Sequence, residues 1–233
     1  MELTPAQRFQ RWAARKQISC FYLKETDSTN TAAKLNLDSI EGPHCWVAEH
    51  QTHGRGRLDH TWTDSRGAFL SSWCFDLPGP AQPTFTARMG LATFQTLMTV
   101  WPDQPFSIKA PNDIFLSEGK LAGFLIEAIS QGATHKVIVG FGMNVETHPS
   151  GVGATSLATQ GLSLSSLELF WDVLHRNWLA VLQVANRLEL TQNERDQLRQ
   201  ALQRHPQMGP SLVGVSANGD LLTSQGLQPW FRI

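Results

Sequence analysis

Glycine and arginine alternate at Gly54-Arg55-Gly56-Arg57, at the end of the polar segment His50-Gln-Thr-His-Gly-Arg-Gly-Arg57. Glycine lets a backbone come close to an anion and turns its N–H groups inward. Arginine supplies a planar fork that matches phosphate oxygens. On a long loop after a buried strand, this alternation points to a phosphate or an adenylate. Taken alone, the tetrapeptide also fits a solvated basic turn.

A second group of residues is Lys109-Ala-Pro-Asn-Asp113, followed by Gly119-Lys-Leu-Ala-Gly123. Pro111 pushes its predecessor into extended backbone, which places Lys109 at a strand end with its amine free to reach into a pocket. A lysine there can neutralise a carboxylate or an α-phosphate. Asn112 and Asp113 suit a nucleotide or a metal-orienting role, or simply an Asn-Asp turn with a surface lysine. A third group, Glu25-Thr-Asp-Ser-Thr-Asn30, crowds short polar side chains at a helix entry. Capping by Asp27 or Ser28 uses one or two of them. The cluster as a whole suits recognition of a urea or amide ring, which needs several small donors and acceptors together. Gly140-Phe-Gly-Met-Asn144 closes an apolar run with small residues, as close approach by a ligand or strand-end packing would require.

These residues need elements to hold them. Thr4-Pro5 reads as an N-cap and first turn, with Phe9, Trp12 and Ala13 at helical spacing. Strands are expected at Ile18–Leu23, Cys45–Ala48 and Ala68–Leu77, and helices over Ser28–Leu37 and Thr84–Val100. His50–Arg66 reads as a long loop. Phe106–Lys109 and Asp113–Leu116 flank the Pro-Asn interruption, and Leu121–Ile129 with Lys136–Val145 form a hairpin. Leu164–Leu188 reads as one long helix with Leu167, Phe170, Trp171, Leu174, Trp178 and Val181 on one face, followed by a more polar helix over Thr191–Arg204. From Pro210 onward, glycines and short β-prone runs predict a hairpin. The expected class is α+β: a mixed β-sheet flanked by helices, with a small β-rich C-terminal segment. The division drawn is a catalytic domain over 1–205 and a short, incomplete β segment over 206–233.

Bulk properties narrow the function. With 233 residues, 41% of them hydrophobic, the chain has enough apolar side chains for a sizeable core. A formal net charge of -1 gives no basic excess for binding phosphate backbones, and no aromatic or basic patch accompanies the Gly-Arg run, which disfavours nucleic acid. Cys20, Cys45 and Cys74 lack metal-ligand spacing, and Cys45 and Cys74 sit in apolar runs that suit core packing. The N-terminal stretch has no signal-peptide core and no run is long enough for a membrane span, so a cytoplasmic protein is expected.

Together these segments resemble the catalytic domain of biotin protein ligases. Ser28-Thr29-Asn30, Gln51 with Gly54 to Arg57, Lys109-Ala-Pro-Asn-Asp113, Lys120 to Glu127 and Gly140 to Asn144 match five family motifs in family order. The joint match is more specific than any single one. The resemblance implies an enzyme that makes biotinyl-5′-AMP from biotin and ATP with Mg²⁺, then transfers biotin to a lysine of a biotin carboxyl carrier protein of acetyl-CoA carboxylase or a related enzyme. It implies catalytic roles for Lys109 and Arg57. It places Ser28, Thr29, Asn30, Gln51, Gly54, Arg55, Gly56, Arg57, Lys109 and Gly123 around biotin, and Arg57, Trp62, Asn112, Lys120 and Asn144 around the nucleotide, with no protein-held metal. The biotin pocket is expected on strands around Ala48, Ile126 and Gly142. A monomer or weak homodimer is expected, with no DNA and no membrane partner. With so few residues before the first expected strand, the winged helix of repressor-type members is not expected.

Two departures stand out. The family continues the loop with Gly-Arg where this chain has Leu58-Asp59-His60, putting a negative charge beside the phosphate loop. The family tryptophan after the lysine is Ala110, which removes a flat side chain from the pocket wall. The alternatives are a lipoate or octanoate ligase of the same superfamily, disfavoured by Gly54 to Arg57, and a biotin-binding relative without turnover, to which Asp59 and Ala110 lend support.

Overall fold

A computed structural model describes residues 2–37, 42–58, 60–151 and 153–230. In chain order its elements are α1 (Pro5–Arg15), β1 (Ser19–Thr26), α2 (Thr29–Leu35), β2 (His44–Gln51), β3 (Phe69–Asp76), α3 (Thr84–Val100), β4 (Phe106–Lys109), β5 (Asp113–Leu116), β6 (Gly119–Gln131), β7 (Thr134–Met143), α4 (Leu167–Leu182), α5 (Gln192–Gln203), β8 (Leu212–Val215), β9 (Leu221–Thr223) and β10 (Gly226–Gln228). They fall into two compact units, one of Met1–Asp76 with Leu121–Glu168, the other of Leu77–Lys120 with Leu169–Ile233. The α+β class, a mixed sheet flanked by helices plus a small β-rich C-terminal sheet, is the observed one. No helix among the described residues is long and apolar enough to cross a membrane.

The first unit is built on a sheet with strand order β1-β2-β3-β7-β6. β1 runs parallel to β2 and the other pairings are antiparallel. Because side chains alternate across a strand, each face has its own set of residues. On one face, Phe69 and Trp73 of β3 pack against Phe9 and Trp12 of α1 with ring centroids 5.0–6.3 Å apart. A capping box between Thr4 and Gln7, with Pro5 in the first turn, starts α1 where the sequence places it. On the other face Trp46, Cys74 and Ile138 pack with Ala33 and Leu37 around α2. Burial pushes the Cys74 thiol up to about 12, and burial also raises Cys45 well above its ordinary value; both are core residues.

In the second unit, α3 is held to the segment after α4 by a buried arginine. The Arg88 guanidinium donates to Glu194 Oε1 (2.8 Å), Thr84 Oγ1 (2.8 Å) and the carbonyls of Arg187 (3.0 Å) and Glu189 (2.5 Å). Burial raises the Glu194 carboxyl, but the bonds from Arg88 and Thr191 outweigh it and hold the group below its ordinary value. This arrangement corrects the expected helix over Leu164–Leu188. Leu164–Ser166 is a 3₁₀ turn, α4 ends at Leu182, and the carbonyls of Arg187 and Glu189 serve Arg88 instead of helical amides. The tail is also richer than the expected hairpin, forming a three-stranded antiparallel sheet of order β10-β9-β8.

Candidate active site

In the first unit, the α2 face of the sheet carries a shallow trough. Cross-strand register sets Leu70 of β3, Gly142 of β7 and Gly123 of β6 in one row, with Ser72, Gly140 and Leu125 in the row beside it. Glycine at both central positions leaves β7 without side chains at the middle of the floor. A Cβ on Gly140 would lie 2.1 Å from Asn30 Oδ1, and one on Gly142 would lie 2.7 Å from the Trp62 indole. Asn30 and Trp62 therefore rest directly on backbone. Ala48 pairs with Leu70 and shares this face, as expected. Ile126 does not: it pairs with Val139, one residue out of phase with Gly140, and points to the opposite face. Leu125 takes its place.

A hydrogen-bonded polar cluster stands over the trough. Ser28 is the N-cap of α2, yet its side chain makes no capping bond. Capping therefore does not account for the short polar residues here. The Thr29 N–H and hydroxyl both donate to Gln51 Oε1, at 2.7 and 3.0 Å. Ser72 Oγ reaches Asn30 Oδ1 at 2.5 Å and Thr29 Oγ1 at 2.8 Å, so its single proton is shared between two acceptors. Asn30 Nδ2 donates to Glu127 Oε2 (2.9 Å) and to the Leu125 carbonyl (3.2 Å). Ser28, Thr29, Asn30 and Gln51 are all buried. Buried polar groups joined in this way hold fixed orientations, as recognition of a ring with its own donors and acceptors demands.

The Gly-Arg segment proves more structured than the expected loop. β2 continues to Gln51, and beyond it Trp62 N donates to Gly54 O (2.9 Å), Arg55 bridges Thr61, and Gly56 N donates to His60 O (2.7 Å). The result is a narrow hairpin turning at Arg57 and Leu58, with Leu58 at φ 48°. The Gly56 N–H is thus committed within the hairpin. Gly54 is pinned between Trp62 and Gln51: a Cβ there would lie 2.6 Å from Trp62 O. Arg55 Nη1 lies 3.6 Å from Glu127 Oε2, and Arg57 stands half-buried beside the turn. Asp59, expected to oppose phosphate, lies outside the described residues. At the base of the hairpin, Gln51 N donates to Asp64 Oδ2 at 3.0 Å, and His50 Nδ1 meets the same oxygen. Asn144, at the end of the Gly-x-Gly-x-Asn run, is buried, and its backbone N–H donates to Leu121 O at 2.9 Å.

Lys109, Asn112 and Lys120 belong to the second unit. β4 and β5 form an antiparallel hairpin closed by the Lys109–Asp113 pair, so Lys109 ends its strand as Pro111 predicts. Its Nζ lies 5.8 Å from the Phe115 ring centroid, and His205 meets the same ring edge-on at 4.5 Å. Burial and the Lys109 charge lower the His205 pKa. The Pro111 carbonyl accepts a 2.9 Å bond from the buried indole N–H of Trp230, which holds the turn. Ala110 is buried. Lys120 is ion-paired with Asp113 at 2.8 Å.

Sequence reasoning missed Ser72, Glu127 as a hydrogen-bond partner, and Asp64. Two adjacent serines inside the apolar strand Phe69–Asp76 were a usable signal for Ser72. Nothing in the sequence linked Glu127 or Asp64 to the residues they hold, because those contacts span β-strands and a loop. Among the described residues, no group of three or more His, Cys, Asp or Glu side chains is placed to hold a metal ion.

Comparison with known proteins follows the same residues. The profile of the biotin/lipoate A/B protein ligase family matches residues 22–144. A biotin–[acetyl-CoA-carboxylase] ligase of Paracoccus denitrificans is 32% identical over 148 residues, 61% of each chain. One from Mycobacterium tuberculosis is 34% identical over 153 residues, 60% of this chain and 54% of that one. The chain thus spans less than two thirds of the length of these curated relatives. Among solved structures, biotin protein ligase from Aquifex aeolicus in complex with biotin and ATP superposes with a TM-score of 0.71 at 26% identity, covering 90% of this chain and 94% of that one.

Proposed function

Because the chain belongs to the biotin/lipoate A/B protein ligase family, we propose that it is a biotin protein ligase, joining biotin to ATP as biotinyl-5′-AMP and passing the biotin to a carrier-protein lysine. The observation that carries this reading is the buried Gln51–Thr29–Ser72–Asn30 network over the glycine trough. The names of the relatives support biotin as the acid and acetyl-CoA carboxylase as the source of the carrier domain.

In the first step the biotin carboxylate attacks the α-phosphorus of ATP, a P–O bond forms, and pyrophosphate leaves. Two anions must meet, so cationic groups lower the barrier. Lys109 and Arg57 take that role. Ser28, Thr29, Asn30 and Gln51 receive the ureido ring, with the backbone of Gly54, Arg55, Gly56 and Gly123 alongside. Trp62, Asn112 and Asn144 flank the nucleotide, and Lys120 can join them by exchanging Asp113 for phosphate. Mg²⁺ bound with the nucleotide would add positive charge at the phosphates to that of Lys109 and Arg57. In the second step the carrier lysine amine attacks the acyl carbon and AMP leaves.

The test is calorimetric titration with biotin, then ATP and Mg²⁺, with pyrophosphate release measured alongside. Biotin binding followed by biotin-dependent pyrophosphate release is expected. Release driven by lipoate or octanoate instead overturns the substrate; biotin binding with no release in any arm overturns the activity.

A further inference from the structure

The two hairpin arms that follow Gln51 and precede Asp64 are joined at their base by one carboxylate. Asp64 Oδ2 accepts the backbone N–H of Gln51 at 3.0 Å and meets His50 Nδ1, so the residue that follows the second arm is tied to the two that precede the first. The Asp64 side chain is only 9% exposed, whereas His50 is 53% exposed. Bonds from N–H groups to a buried carboxylate are among the stronger ones, and removing the acceptor strands a buried donor. Gln51 is thereby held from two sides: its backbone by Asp64 and its side-chain carbonyl by Thr29. Gln51 Nε2 stands next to Gly54, the first glycine of the hairpin.

We propose that Asp64 is a positioning residue for the acyl-substrate end of the site. It acts through Gln51 and through the base of the Gly-Arg hairpin, not on the reacting atoms. The role in biotin binding rests on the function proposed above; the role in closing the hairpin does not. With Asp64 in place, Gln51 presents its amide in one orientation and Gly54 to Arg57 stay in register with His60 to Trp62. Without it, both the amide and the hairpin must be ordered by the ligand at the moment of binding, and affinity falls by that cost.

The experiment uses the full chain as Asp64→Ala and Asp64→Asn. Without ligand, amide hydrogen exchange of Gly56, His60 and Trp62 is expected to accelerate at least tenfold in Asp64→Ala and to return toward wild type in Asp64→Asn, whose side-chain oxygen still accepts the Gln51 N–H. Biotin affinity and its KM are expected to weaken about tenfold in Asp64→Ala, a loss in line with one charge-assisted hydrogen bond, while kcat for pyrophosphate release stays within about threefold. Unchanged exchange in Asp64→Ala overturns the clasp. Faster exchange with unchanged biotin affinity, or a fall in kcat at constant KM, overturns the positioning role. If the wild-type protein binds no biotin, the biotin reading fails, and the exchange arm still decides whether Asp64 closes the hairpin. Should Asp64→Ala not fold, His50→Ala keeps the carboxylate and carries the exchange arm, with intermediate acceleration expected and wild-type rates counting against the clasp.

Discussion

Lys109 shows how a single residue can be tested apart from the fold. It is half-buried at the end of β4, and its most distinct contact is the 5.8 Å approach to the Phe115 ring. Such a cation–π contact is worth about 0.5–1 kcal/mol at a partly exposed site. Lys109→Ala should therefore lower stability by no more than about 1 kcal/mol. In the proposed adenylation role its charge, set against a carboxylate and a phosphate in the transition state, would supply about 3 kcal/mol, or ~10² in rate. Pyrophosphate release in the variant should fall by that factor or more while the melting temperature moves little; near-normal release would show that Lys109 does not serve the adenylation step. An independent marker exists in the same variant. Because the Lys109 charge helps lower the His205 pKa, proton NMR should find His205 titrating at higher pH once that charge is gone.

At the scale of elements, the decisive feature is a strand with no side chains at its centre. β7 passes beneath Asn30 and Trp62 only because Gly140 and Gly142 occupy successive positions on one face. A methyl group on Gly140 would sit 2.1 Å from Asn30 Oδ1, an atom also bonded to Ser72. Asn30 would have to move, and its bonds to Glu127 and to the Leu125 carbonyl would go with it. Gly140→Ala should cost about 1–3 kcal/mol, the usual penalty of overpacking, and should weaken biotin binding through the displaced start of α2. Gly90→Ala in α3 is the matching control: nothing lies within 4 Å of its Cβ position, and alanine is the better helix former by about 1 kcal/mol. Equal denaturation midpoints for the two variants would mean that the trough accommodates a side chain.

For the molecule as a whole, each unit buries a histidine whose pKa lies below the ordinary 6.5. Burial lowers His44 in the first unit, with Lys136 acting in the same direction while the Gly42 carbonyl and Asp76 oppose it. Burial and Lys109 lower His205 in the second, opposed by Asp113. A histidine with a lowered folded pKa binds fewer protons than its unfolded counterpart in the window between the two values, so stability rises with pH there. The contribution is complete above about pH 6.5 and is lost as pH falls from 6.5 through the folded values. Melting temperature should therefore drop on acidification below pH 6.5 more steeply in wild type than in a His44→Gln, His205→Gln double variant. Parallel curves would assign the acid sensitivity to carboxylates instead.

Local order was legible in the sequence wherever chain neighbours set it. Thr4-Pro5 fixed the start of α1, Pro111 the end of β4, and the spacing of apolar residues most strands and helices. The residue types of the polar cluster were legible too, since Ser28, Thr29 and Asn30 exceed what capping needs and their chemistry does not depend on the fold. Contacts between distant segments were not. Whether Ile126 or Leu125 faces the trough depends on strand register, and a one-residue shift exchanges the faces. The chain beyond α4, which stops at Leu182, turns so that the carbonyls of Arg187 and Glu189 meet Arg88, about a hundred residues away along the chain. The Gly-Arg segment read as an open loop because its cross-hairpin bonds and its tie to Asp64 involve residues whose polar types also suit solvent. Side-chain chemistry and local conformation are properties of the chain itself. Register, burial and the choice of hydrogen-bond partner are settled only when segments far apart in sequence are packed together and each buried polar group must find an acceptor or donor within reach.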